Sequence, residues 1–130
     1  MENNQDGINR RRSQRQKAAF MLTYGVDSPY ALRVSLGMND DLNALMLDLS
    51  DSGVAIATGV ELPIGAQLHI NFNFRNLSLS GQDRSRNMEI AGTVVSRANL
   101  KGGDYRVGIC FSKISDEDKQ AIRDYIKNSA

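Results

Sequence analysis

The chain has 130 residues, enough for one domain of ordinary size and too few for two. Hydrophobic residues make up 41% and charged residues 24%, the balance of a chain that buries a core rather than of a disordered polymer. Sixteen Lys and Arg against fifteen Asp and Glu leave a net charge of +1, which argues against a protein that coats polyanions, and no apolar run approaches the roughly 18–20 residues of a membrane-spanning helix.

The N-terminus, Met-Glu-Asn-Asn-Gln-Asp, has neither the apolar core nor the cleavage site of a secretory signal, which points to the cytoplasm. Residues 1–9 are polar, with Ile8 the one large aliphatic, and read as a mobile lead-in to a single domain over residues 10–130. Charge is concentrated just beyond it. Residues 1–17 hold five basic residues (Arg10, Arg11, Arg12, Arg15, Lys17) against two acidic ones, a net +3, leaving eleven basic against thirteen acidic residues, −2, in the rest. Such a flexible basic arm suits a phosphate-bearing ligand, a nucleic-acid backbone or an anionic membrane, or it is a solubilising tail. The single Cys110 excludes an intramolecular disulfide and a multi-cysteine zinc site, and reads as a small buried hydrophobe.

After the arm, Phe20–Val26 and Tyr30–Leu36 read as short extended segments around a break at Asp27-Ser28-Pro29, and Gly37–Asp41 as a loop. A period of two over Ala44–Ser50 puts Leu45, Leu47 and Leu49 on one face and Met46, Asp48 and Ser50 on the other. Asp51-Ser52 then turns the chain into the apolar run Val54–Ala57. The clearest alternation sets Leu68, Ile70, Phe72 and Phe74 against His69, Asn71 and Asn73, a strand with one wet face on which His69 is solvent-facing. Arg75–Asn87 is polar and Ser-rich and reads as a surface loop. Met88–Arg97 and Tyr105–Phe111 form a hairpin around Gly102-Gly103. Ser115 with Asp118 makes a capping pattern, and Ala121, Ile122, Tyr125 and Ile126 form one stripe, which predicts a helix over Asp116–Lys127 packed on a sheet. Six or seven antiparallel strands followed by one helix predict a mainly β fold: a closed or nearly closed barrel with the helix at its edge or mouth.

Catalysis is poorly supplied. There is one His and one Cys, and no His-Glu-x-x-His, Gly-x-Ser-x-Gly or phosphate-loop signature, so the reading is a binding module without catalytic residues or a metal site. Arg11 and Arg15, four apart, fall on one side of the arm whether it is extended or helical, so two guanidinium forks can face one ligand. A guanidinium binds phosphate bidentately, donates to the O6 and N7 of guanine, or stacks on a purine, all of which Lys does less well. Asp48 and Ser50 carry the complementary chemistry: a carboxylate accepts from the amino and imino groups of guanine, and a hydroxyl accepts or donates. Gly53 permits close backbone approach. Taken alone, the same three residues also describe a tight turn.

Arg-Arg-x-x-x-Arg (Arg10, Arg11, Arg15) followed some thirty residues later by Asp-x-Ser-x-x-Gly (Asp48, Ser50, Gly53) resembles the PilZ family of bacterial cyclic di-GMP receptors. Pro63-x-Gly65, Gly92-Thr-Val-Val95 and Tyr105-Arg-Val-Gly-Ile-Cys-Phe111 resemble later strands of the family, so the likeness runs from Arg10 to the end of the helix. It implies a six-stranded antiparallel β-barrel with a C-terminal helix and the arginine arm beside it. It also implies cyclic di-GMP as the ligand, read by Arg11, Arg15, Asp48, Ser50 and Gly53, and an output delivered to an effector protein. An arginine at Arg10 is associated in the family with two stacked ligands per chain. Where members often carry an aromatic or long side chain on a later strand, this chain offers only Arg97. The other reading is a nucleic-acid-binding or ligand-independent protein-adaptor barrel that uses the basic arm.

Overall fold

A computed structural model describes residues 16–17, 20–73 and 87–129. Residues 1–15, and with them the predicted lead-in and the arginines of the arm, lie outside the described residues, as does nearly all of the predicted loop Arg75–Asn87.

The strands are β1 (Gln16–Lys17), β2 (Met21–Ser28), β3 (Leu42–Leu49), β4 (Gly53–Thr58), β5 (Gln67–Asn73), β6 (Asn87–Asn99) and β7 (Tyr105–Lys113), with helix α1 (Tyr30–Ser35) after β2 and α2 (Asp116–Ser129) at the end. All pairings are antiparallel. The order β3-β2-β5-β6-β7-β4 closes through a β3–β4 pairing into a six-stranded barrel, and β1 runs on along the edge of β3 that β2 occupies. Among the described residues, closure leaves no long free edge for another chain to pair with.

Inward side chains fill the barrel: Leu22, Tyr24 and Val26 from β2, Val54 and Ile56 from β4, Leu68, Ile70 and Phe72 from β5, Met88, Ile90 and Val94 from β6, Val107 and Ile109 from β7. Period-two alternation in the sequence gives the inward face of β5 directly. Gly102 and Gly103 take positive φ (87° and 93°) in the β6–β7 turn, a backbone that side-chain-bearing residues rarely adopt. Helix α2 starts where Ser115 Oγ accepts the Asp118 N–H at 3.0 Å, and Ile122 and Ile126 are buried against the barrel with Ala121 and Tyr125 beside them.

Three expectations change. Tyr30–Leu36 is not extended: Pro29 introduces helix α1, and Leu32 and Leu36, one helical turn apart, pack on the core. In β3 a bulge between Met46 and Asp48 breaks the alternation, so Met46 and Leu49 both face the core and Leu45 lies outside. Cys110 is exposed, because Ile109 takes the inward position beside it.

The buried Tyr24 hydroxyl meets Thr58 Oγ1 at 2.7 Å, and burial pushes the phenol above its ordinary 10.0 while that hydrogen bond pulls the other way. The unfolded chain therefore loses this proton first. Tyr24 contributes stability below about pH 10 that is lost as pH rises through the folded value. Urea midpoints measured from about pH 8 to 11 should fall more steeply for the wild type than for Tyr24→Phe.

Candidate functional site

The Asp48–Gly53 motif straddles the end of β3, a turn and the start of β4. Ser50 N–H donates to the Gly53 carbonyl at 2.9 Å, and Ser50 Oγ accepts the Ser52 N–H at 3.2 Å and lies 3.1 Å from Ser52 Oγ. Ser50 is buried, so its hydroxyl works inside the turn. Gly53 is needed for a packing reason: a Cβ there would collide with the Ile109 carbonyl oxygen of β7. The turn is held from two further sides. Phe111 N–H donates to the Ser52 carbonyl at 2.9 Å, and Asp51 Oδ2 accepts from Arg123 Nε of α2 at 2.7 Å.

Asp48 stands on the outside of the barrel, since its β4 partner Ala55 lies between the core residues Val54 and Ile56. Its Oδ2 accepts from Arg106 Nη2 of β7 at 2.7 Å, with side-chain exposures of 17% and 41%. Arg106 pairs across the sheet with Ala57 and Ala98, so the reach to Asp48 is diagonal, over a floor of small residues (Ala55, Ala57, Gly108) that leaves the guanidinium room.

β1 supplies the link to the arm. Gln16 pairs with Leu49 and Lys17 with Asp48, and the Phe20 carbonyl accepts the Met46 N–H at 2.7 Å. Gln16 directly follows Arg15 in the sequence, so the sheet is entered opposite Leu49, one position before Lys17 meets Asp48. Phe20 also meets Tyr125 of α2, with ring centroids 5.7 Å apart. Helix α2 thus touches both the base of the arm and the Asp51 turn.

Arg97 is not brought to Asp48. It pairs with Val107, a core residue, whereas the row through Asp48 runs Ala55, Gly108, Ser96, so the two stand on opposite faces of the sheet. Its guanidinium donates to the Leu62 carbonyl at 3.1 Å and lies 3.6 Å from Glu61. Arg10, Arg11 and Arg15 lie outside the described residues. His69, on the outward side of β5, holds Asp27 Oδ1 at 2.8 Å, and among the described residues no group of three His, Cys, Asp or Glu is placed to hold a metal ion. Arg106 is the residue that the sequence reading passed over. It sat in view as an outward position of β7, but its partner depends on strand order.

No curated protein matches the sequence at a significant level. Among solved structures, the Bacillus subtilis inhibitor of motility MotI/DgrA superposes with a TM-score of 0.70 at 19% identity, over 92% of this chain and 51% of that one, so the chain spans about half its length. The PilZ domain of Escherichia coli YcgR with c-di-GMP matches at 0.62 and 15% identity, over 92% and 90% of the two chains. The K. pneumonia MrkH–c-di-GMP complex matches at 0.57 and 15%, over 92% and 52%. At these identities the likeness is one of fold. The family model described as PilZ domain matches residues 9–128, nearly the whole chain, and establishes that the chain belongs to the PilZ domain family.

Proposed function

We propose that the domain is a cytoplasmic receptor for the bacterial second messenger cyclic di-GMP, working by binding rather than catalysis and passing the signal to an effector protein. The observation that carries this reading is the β1–β3 pairing. It sets Lys17, two positions after Arg15 in the sequence, opposite Asp48. Arg11 and Arg15 hold phosphate and guanine, Asp48 accepts from the guanine imino and amino groups, and the buried Ser50 and Gly53 shape the turn that presents Asp48. Arg97, whose guanidinium serves Leu62 and Glu61, takes at most a peripheral part. Further support comes from relatives of the same fold, YcgR and MrkH, whose structures contain c-di-GMP.

The arm closes over the ligand, since it carries charge and few apolar groups to hold it down in the free protein. Saturation takes two stacked ligands per chain, because a third guanidinium at Arg10 offsets the crowding of four phosphates and extends the purine stack. Titration calorimetry with cyclic di-GMP, GTP and a short single-stranded oligonucleotide tests the reading. Heat with cyclic di-GMP alone is expected, at two ligands per chain, falling to one in Arg10→Leu. Binding of the oligonucleotide in its place would convert the protein into a nucleic-acid binder, and one ligand per chain unchanged in Arg10→Leu would remove the stacked pair.

A further inference from the structure

We infer that Arg106 is a specificity-determining residue that reads guanine O6 beside Asp48; this rests on the receptor reading above. The Watson–Crick edge of guanine presents, in order, an acceptor (O6), a donor (N1–H) and a second donor (the 2-amino group). A carboxylate matches the two donors and offers nothing to O6 but repulsion. The structure places a donor array directly beside that carboxylate: Arg106 Nη2 lies 2.7 Å from Asp48 Oδ2 on the outer face of the barrel.

The guanidinium is free to take this part. It carries five N–H donors, is 41% exposed, and has Asp48 as its partner among the described residues. The alanines under it, Ala55 and Ala57, put no bulky group between the pair. Together the two side chains form an acceptor–donor strip complementary to the guanine edge. They oppose adenine, whose 6-amino donor would face the guanidinium and whose N1 acceptor would face the carboxylate. Arg106 thus turns a charge attraction that any cyclic dinucleotide satisfies into a choice of base.

The test is a cycle of protein variant against ligand analogue, read by calorimetry, with cyclic di-GMP, its 6-thioguanine analogue (O6 replaced by a poor acceptor) and its hypoxanthine analogue (no 2-amino group). Arg106→Met should weaken cyclic di-GMP binding by roughly 10- to 100-fold. The 6-thio change should cost the wild type about 10-fold and Arg106→Met little more, because the contact is already gone, while the hypoxanthine change should cost both proteins alike. Arg106→Ala, which also removes every donor at this position, takes its place in the cycle should the Met variant melt early. Equal 6-thio penalties in wild type and variant would show that Arg106 acts only by holding Asp48, and would overturn the inference while leaving the receptor intact. Failure of the wild type to bind cyclic di-GMP would instead overturn the receptor reading and this inference with it.

Discussion

Replacing Arg11, Arg15 or Asp48 by Ala is expected to weaken cyclic di-GMP binding by roughly 10- to 150-fold in each case, the loss of a charge-assisted hydrogen bond to phosphate or base. The three variants should keep the fold, and Asp48 stands outside the hydrophobic core. Asp48→Ala carries a second cost, because it removes the acceptor that fixes Arg106. Losses from Asp48→Ala and Arg106→Met should therefore combine to less than their sum, as for residues that share one contact. Titrations of the three single variants at fixed ionic strength check the result, and full affinity in all of them would remove the site assignment.

The largest effect on stability is expected from Gly53→Ala. A Cβ at Gly53 collides with the Ile109 carbonyl oxygen, which is main chain and cannot rotate away, so the β4–β7 ladder itself must shift. That ladder runs from Gly53–Cys110 to Thr58–Tyr105. A cost of about 2–4 kcal/mol follows, with ligand affinity falling as well because the same shift moves the Ser50–Gly53 turn. Gly108→Ala is the control. Its added Cβ meets Ser96 Oγ, the end of a rotatable side chain, so its cost should be smaller. Urea denaturation of the two variants separates them, and equal stability would contradict the argument.

What the sequence made legible, and what it left hidden, divides by the range of the interaction. The alternation of β5 and the stripe of α2 are local patterns, each decided by one buried face, and the barrel and terminal helix could be read from them. Helix α1 was missed because Leu32 and Leu36, four apart, fit an alternating strand as well as one helical turn, and the core contact that decides between them comes from elsewhere in the fold. The β3 bulge is a property of the pairing with β4, so the alternation of β3 alone could not show that Met46 and Leu49 share the inner face. The site divides in the same way. Asp48, Ser50 and Gly53 announce themselves as a motif, but the separate tasks of the three emerge only from the turn's hydrogen bonds and from Ile109 across the sheet. Arg106, fifty-eight positions from Asp48, reaches it only because β7 lies beside β4.

The proposed site is local: the ligand is expected where β1, the Asp48 turn and Arg106 meet rather than elsewhere on the barrel. Backbone amide chemical-shift mapping during a titration with cyclic di-GMP measures this directly. Large shifts are expected at Gln16 and Lys17, at Asp48–Gly53 and around Arg106, while the groove on the β5–β6 side lined by His69, Asn71, Glu89 and Lys113 stays unchanged. Shifts concentrated in that groove, or no shifts at a saturating ligand concentration, would contradict it.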